Sequence, residues 1–405
     1  MWNLLDDNEV LQAAVEKLFF KSSFDPTNVN QVFAAFATRI GLEIGEGEAS
    51  SRLAIDAVRS HMRILIGVSG RLIITASPSE PILAIAAASM LNRTDQTYKE
   101  ALKTLLDELI LRGLILDRGL QGELYCRLLL TLARDKAVLP HGGYFVKVQD
   151  NYSTIRPAKL SEFFQTLLGR NLGIPEDDIE QSNLRYTFLS QMSRVWINFT
   201  HFVQLSECVS ELTPFMLCAA WSAGYAFQCA FHQPVIDGFL VAYRGDLDEP
   251  FNPANLFPIP WQSKAKSEAA ELALAEQLTA PFIVGDNLDR QKPEHVVLLM
   301  DLGASSAFGH AKGAHCQLTY GEAQHPAATS KGGKWGGYAK EGEHEGKRYC
   351  LNIRGHSPNE YPVIADFEDQ FDQLFQRSLK CTRLEYERFQ KDFLYAIDTL
   401  NLGQG

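Results

Sequence analysis

The residues best suited to chemistry lie between Ser193 and Lys266. Pro234-Val235-Ile236-Asp237 opens one β-type run, and Pro260-Trp261-Gln262-Ser263-Lys264 closes the next. Alternate side chains on a strand share a face, so this spacing predicts Gln262 and Lys264 pointing together toward Asp237 on a neighbouring strand. A carboxylate in that position can hold Mg²⁺, and the backbone carbonyl of Ser263 is a suitable hard oxygen ligand beside it. Gln262 would add a weaker ligand or position water. Lys264 would orient the attacking water and stabilise charge developing on a phosphate. The expected catalytic set is Asp237, Gln262 and Lys264, with Mg²⁺ as cofactor. Glu207 and Glu211 fall on or just after the helix expected ahead of the first strand, and Glu211 completes the candidate metal ligands. A solvated helix residue is the plain alternative for either.

Other constellations carry less. His310, His315, Cys316 and His325 fit no standard metal spacing and read as histidines of a glycine-rich loop. Lys331, Lys334, Trp335, Tyr338 and Lys340 mix cations with aromatics, as a strand-tracking groove would, but Glu341, Glu343 and Glu345 follow and largely cancel the charge. Gly67-Val68-Ser69-Gly70-Arg71 is not a nucleophile elbow, because its second glycine is misplaced.

The elements that must position the candidates change character along the chain. Residues 1 to about 190 read as helix after helix: Val10 to Phe20, Val29 to Ile40, Arg52 to Val68, and one opening at Ser79-Glu80-Pro81. Thr97 and Glu100 have capping-box spacing, with Leu102, Leu105, Leu106, Leu109 and Ile110 on one face before Gly113. Leu120 to Ala137 carries the stripe Leu124, Leu128, Leu129, Leu132. A strand, Tyr144 to Val148, follows the break at Pro140-His141-Gly142-Gly143, and helices return at Leu160 to Leu168 and Arg194 to Gln204. Short β-type runs then dominate: Ala226 to Phe231, Val235 to Tyr243, Leu256 to Lys264, Val296 to Met300, His315 to Tyr320 and Arg348 to Ile353. A polar helix (Ser267 to Leu278), a loop-like stretch (Gly321 to Gly346) and two closing helices (Phe367 to Lys380, Leu384 to Leu400) complete the pattern.

Bulk properties narrow the setting. The chain has 405 residues, 46% of them hydrophobic, and its 38 Lys+Arg against 49 Asp+Glu leave a formal charge of −11. That balance argues against a surface coated in basic charge, without excluding a local basic groove. Seven scattered cysteines, none in a CxxC pair, indicate neither a disulfide framework nor a zinc ribbon. Acidic residues follow Met1, where a signal peptide would carry basic ones, and the most apolar stretch, Pro81 to Leu91, is too short to span a bilayer. The expectation is an intracellular protein, cytoplasmic or nuclear, with no membrane partner.

An acid on one strand followed on the next by an acid-or-amide, a spacer and a lysine is the layout of a PD-(D/E)XK nuclease site. Three stretches also resemble fungal proteins of the Crinkler and retrotransposon-hot-spot-like group. They are Ile110 to Arg134, Ala226 to Asp237, and Ile259-Pro260-Trp261-Gln262-Ser263-Lys264-Ala265-Lys266. The resemblance implies a restriction-endonuclease-like domain, often beside a P-loop NTPase module. Carried over by position, the metal-binding acid is Asp237, the variable acid-or-amide Gln262 and the lysine Lys264. Two departures stand out. Gln262 replaces the usual acid, and no GxxxxGK[ST] occurs. The expected fold class is α+β or α/β: a helical domain over 1–190, then a restriction-endonuclease-like mixed-sheet domain over 191–405 with closing C-terminal helices. The expected function is metal-dependent hydrolysis of nucleic acid. The alternative is a catalytically degenerate nuclease fold acting as an interaction or regulatory module, with nucleic acid or protein as partner.

Overall fold

The computed structural model describes residues 8–70, 72–116, 122–138, 157–205, 212–230, 233, 236–265, 295–304, 315–322 and 347–378. Helices α1 (Asn8–Phe19), α2 (Val29–Ile40), α3 (Glu48–Ser60) and α4 (Pro81–Leu91) begin the chain. Asn28 starts α2 by accepting the N–H groups of Asn30 and Gln31. The almost wholly apolar α4 is buried against α1 and α2. Helix α5 (Asp95–Thr104) runs on into a π-helical segment, Leu105–Ile110. Its cap is Thr94, whose hydroxyl accepts from Thr97 N, so the helix starts earlier than the Thr97/Glu100 spacing predicts. Helices α6 (Glu123–Val138), α7 (Leu160–Leu168) and α8 (Ile179–Met192) follow.

Two expected helices are corrected. The run Arg52 to Val68 ends as helix at Ser60 and becomes β2 (Ile64–Ser69), paired with β3 (Leu72–Ala76). Ile64, Leu65, Ile66 and Val68 are largely β-branched and suit a hairpin better than a helix. With β1 (Glu43–Ile44), β4 (Ile115–Leu116) and β5 (Ala158–Lys159), the first 190 residues hold more strand than their leucine stripes suggest. The run Arg194 to Gln204 forms β6 (Val195–Ile197) and β7 (His201–Gln204) instead of a helix. Asn198 and Thr200 break it by bonding across to the far end of α9 (Pro214–Ala223), at Trp221 O and Gly224 O. This α9 is the helix that leads into β8 (Tyr225–Gln228).

The later strands fall on the expected β-type runs: β9 (Gly238–Arg244), β10 (Leu256–Lys264), β11 (His295–Asp301), β12 (Cys316–Glu322) and β13 (Lys347–Arg354), closed by α10 (Glu368–Ser378). The expected elements Tyr144 to Val148, Ser267 to Leu278 and Leu384 to Leu400 lie outside the described residues, as do residues 323–346 of the stretch expected as a loop, whose first two residues end β12.

The architecture is mixed α+β around a nine-stranded sheet, seven strands in the order β12-β13-β11-β10-β9-β6-β5 and two, β8 and β7, on a branch from β9. Strands β10, β11 and β13 are mutually parallel; β9 is antiparallel to β10, and β12 to β13. Beyond β9 the sheet forks, because the start of β9 pairs with β8 and its end with β6. Both faces are covered. Leu240, Ala242, Trp261, Leu298 and Leu351 join the helices in the main core, which draws on residues from both ends of the chain. Phe239, Val241, Tyr243, Leu299 and Cys350 meet α9 in a smaller core. Within the main core Arg39 makes a bidentate ion pair with Asp135 and donates to Thr200 O (3.0 Å), while Asn92 donates to the same carboxylate (2.7 Å). These groups join α2, α4 and α6 to the start of β7. Among the described residues no helix is long and apolar enough to cross a membrane.

Candidate functional site

Asp237 stands at the last position before β9, and Gly238 explains how it gets there. A Cβ on Gly238 would come within 2.3 Å of Phe227 O and 2.7 Å of the Trp261 ring, so only glycine lets β8, β9 and β10 close up. The backbone of Asp237 then donates to Trp261 O (3.1 Å) and accepts from Cys229 N (2.9 Å). Its side chain supplies the next contact to β10: Oδ2 accepts from Ser263 N at 2.6 Å and from Ser263 Oγ at 2.8 Å. The carboxylate thus bonds to the β10 backbone as a strand-end cap.

Burial pushes the Asp237 carboxyl above its ordinary range; the two Ser263 hydrogen bonds, and then the charges of Lys264 and Arg127, pull the other way. Cys126 on α6 lies close enough that its thiol is held well up, by burial first and by Asp237 next. Asp237 is therefore drawn to the residue between Gln262 and Lys264. Along β10, Ser263 alternates to the opposite side from both. Lys264 is half-buried and reaches Asp237 through its charge. Gln262 is buried, with its Oε1 lacking a hydrogen-bond partner. Glu211 and Glu207 lie outside the described residues.

These groups can be tested against Mg²⁺. Oδ2 of Asp237 already accepts two hydrogen bonds in a buried setting, and Gln262 brings no charge. No group of three or more His, Cys, Asp or Glu side chains able to hold a metal occurs among the described residues. Hard cations of this kind are held by carboxylates and substrate phosphates. Asp237 with Gln262, as they stand, do not fit a resident Mg²⁺.

A different polar row sits beside them. In the sheet register Lys264 is opposite Asp301, and Asp301 is opposite Arg354; one row back, Gln262 aligns with Leu299 and Asn352. Directly opposite residues share a face, so Lys264, Asp301 and Arg354 form one line across the carboxyl ends of three parallel strands. Asp301 is fully buried, and its carbonyl holds the turn by accepting Gly355 N at 3.0 Å. The carboxyl edge of parallel strands is where α/β sheets place ligands. The available signal was the polar residue ending each apolar run, Asp301 after Val296 to Met300 and Arg354 after Arg348 to Ile353. Of the histidine group, His315 Nδ1 pairs with Glu360 at 3.0 Å and Cys316 is a buried thiol raised by burial, while 310 and 325 lie outside the described residues.

No protein-family model, no curated protein and no solved structure matches the chain.

Proposed function

We propose that this chain is a restriction-endonuclease-like protein, of the Crinkler-resembling kind, that serves as an interaction module and does not cut nucleic acid. The fold reading draws support from helix α9, the antiparallel run β8-β9-β10 and the return of β11 parallel to β10. One observation carries the loss of chemistry. The acid at the metal-binding position, Asp237, has its carboxylate bound to Ser263 N and Oγ inside the strand end, where burial favours the protonated form. A carboxyl held there acts as a structural cap.

Labelled single- and double-stranded DNA and RNA, incubated with the protein and Mg²⁺ or Mn²⁺, should remain intact, and Gln262→Glu should not restore cutting. Cleavage by the wild type that disappears in Lys264→Ala would overturn the proposal. A second reading, hydrolysis, is favoured by the line Lys264-Asp301-Arg354, which supplies a buried acid between two cations. It requires cleavage to be lost in Asp301→Asn and retained in Asp237→Asn.

A further inference from the structure

A groove of about 900 Å³ lies at the end of β9, lined by Lys159, Gln191, Arg194, Trp196, Arg244 and Asp246 among others. It stands apart from Asp237. Seven residues of β9 separate the two ends, about 20 Å at the rise of an extended strand. The groove's volume falls within the range of small-ligand sites, about 300–1,000 Å³.

Its chemistry is selective. Three cations face one carboxylate in a chain whose overall charge is −11. Asp246 is turned to its own loop, where Oδ1 accepts Asp248 N at 3.0 Å. Among the described residues neither Lys159 nor Arg194 has an ion-pair partner. Trp196 lies between them on β6, cross-strand from Lys159, whose ammonium stands 5.8 Å from the indole centroid. The indole N–H is anchored on Gly245 O at 3.0 Å, so the half-buried ring is fixed in place. Arg244 is held over the Phe257 ring at 5.7 Å. One feature opposes an anion: α8 ends here, and a helix C-terminus is electronegative. Three of its last four carbonyls are already taken, Leu189 O and Gln191 O by Ser193 N, Gln191 O also by Arg194 N, and Ser190 O by Ser193 Oγ. Lys159 and Arg194 on either side of a fixed aromatic ring match a phosphate attached to a flat base, since charge holds the first and a ring surface the second.

We infer that this groove binds a nucleotide unit, with Lys159 and Arg194 on the phosphate and Trp196 against the base. The unit comes either as a free nucleotide or as part of a single strand of nucleic acid. The test uses the full chain at low salt, with a fluorescein-labelled oligothymidylate read by anisotropy and AMP and ATP titrated as competitors. Lys159→Gln and Arg194→Gln each remove one charge-assisted contact and should weaken binding about tenfold, with a shallower salt dependence. Arg194 is exposed, so its replacement leaves the fold intact, and circular dichroism of both variants checks this. Competition by AMP or ATP at concentrations that displace the strand identifies free nucleotide as the ligand; strand binding without competition identifies nucleic acid. Failure of the wild type to bind oligonucleotide or nucleotide overturns the inference, as does binding that neither substitution weakens. Neither result depends on whether the Asp237 end of the sheet can cleave.

Discussion

Asp237 shows how one carboxyl can be diverted from chemistry by its neighbours. Replacing it with alanine leaves Ser263 N–H and O–H without their acceptor and should destabilise the fold by about 1–3 kcal/mol; asparagine keeps an acceptor oxygen and should be milder. The two variants separate further by pH. The folded-state pKa of Asp237 lies above its ordinary value of 3.8, so the native state holds that proton more tightly than the unfolded chain does. Its contribution is complete below 3.8 and is lost as pH rises through the elevated folded pKa. Urea midpoints recorded against pH should lose that falling component in Asp237→Asn. A two-residue period predicts Gln262 and Lys264 pointing together toward Asp237, whereas the Asp237 side chain is bonded to Ser263 between them. The capture of the carboxylate by Ser263 was not legible, because it depends on where β9 stops, which Gly238, Phe227 and Trp261 decide together. Asp301 and Arg354 escaped for a related reason. Their alignment with Lys264 is a matter of pairing between distant strands, and no local spacing encodes it.

At the scale of elements, the strands from β9 onward follow from short apolar runs bounded by turn residues, whereas β6, β7 and α9 do not follow from periodicity. Val195, Phe199, Phe202 and Val203 imitate a helical face, yet two strands result because Asn198 and Thr200 are bound to the end of α9. The signals for α9 were present in its punctuation. Thr213 accepts from Met216 N, Pro214 takes the first turn, and Gly224 closes the helix at a φ of 64°. Thr213→Ala should lower stability by about 1 kcal/mol, seen as a shifted urea midpoint. A second link crosses from β7 to the segment before α4. Thr200 Oγ donates to Gly224 O (3.1 Å) and so accepts from His201 Nδ1–H (3.1 Å), which leaves Nε2 to accept from Ser79 Oγ (3.1 Å). Burial, reinforced by the charge of Arg39, brings the His201 pKa down to about 3. The unfolded chain binds that proton more readily, so stability should fall as pH drops from 6.5 toward 3. In His201→Gln this acid-side loss should be reduced, which a midpoint-against-pH series would reveal. The slope is opposite in sign to that of Asp237, so the single variants distinguish them.

Over the whole molecule, the Asp135 carboxylate is the point where separate parts of the chain meet. Arg39 and Asn92 both donate to it, and Arg134 lies 3.6 Å away, all of them buried. Burial brings the Arg134 pKa down to about 10, with Asp135 opposing that shift. Asp135→Asn would leave buried guanidinium groups without their counter-charge and should destabilise the protein by about 3–5 kcal/mol, measurable as a lowered denaturation midpoint. Helix α6, which carries Asp135, is gripped by partners far along the chain. Tyr125 OH donates to His356 O across a separation of 231 residues, and Lys136 reaches Asp366. During synthesis the helix therefore emerges long before the strands and turns that will cover it. At about 5–20 residues per second, that interval is on the order of 10–50 s. Through it Arg39 and Asn92 are the buried partners already made, so the early contacts of Asp135 hold α6 against α2 and α4 while its remaining apolar face is open to chaperones.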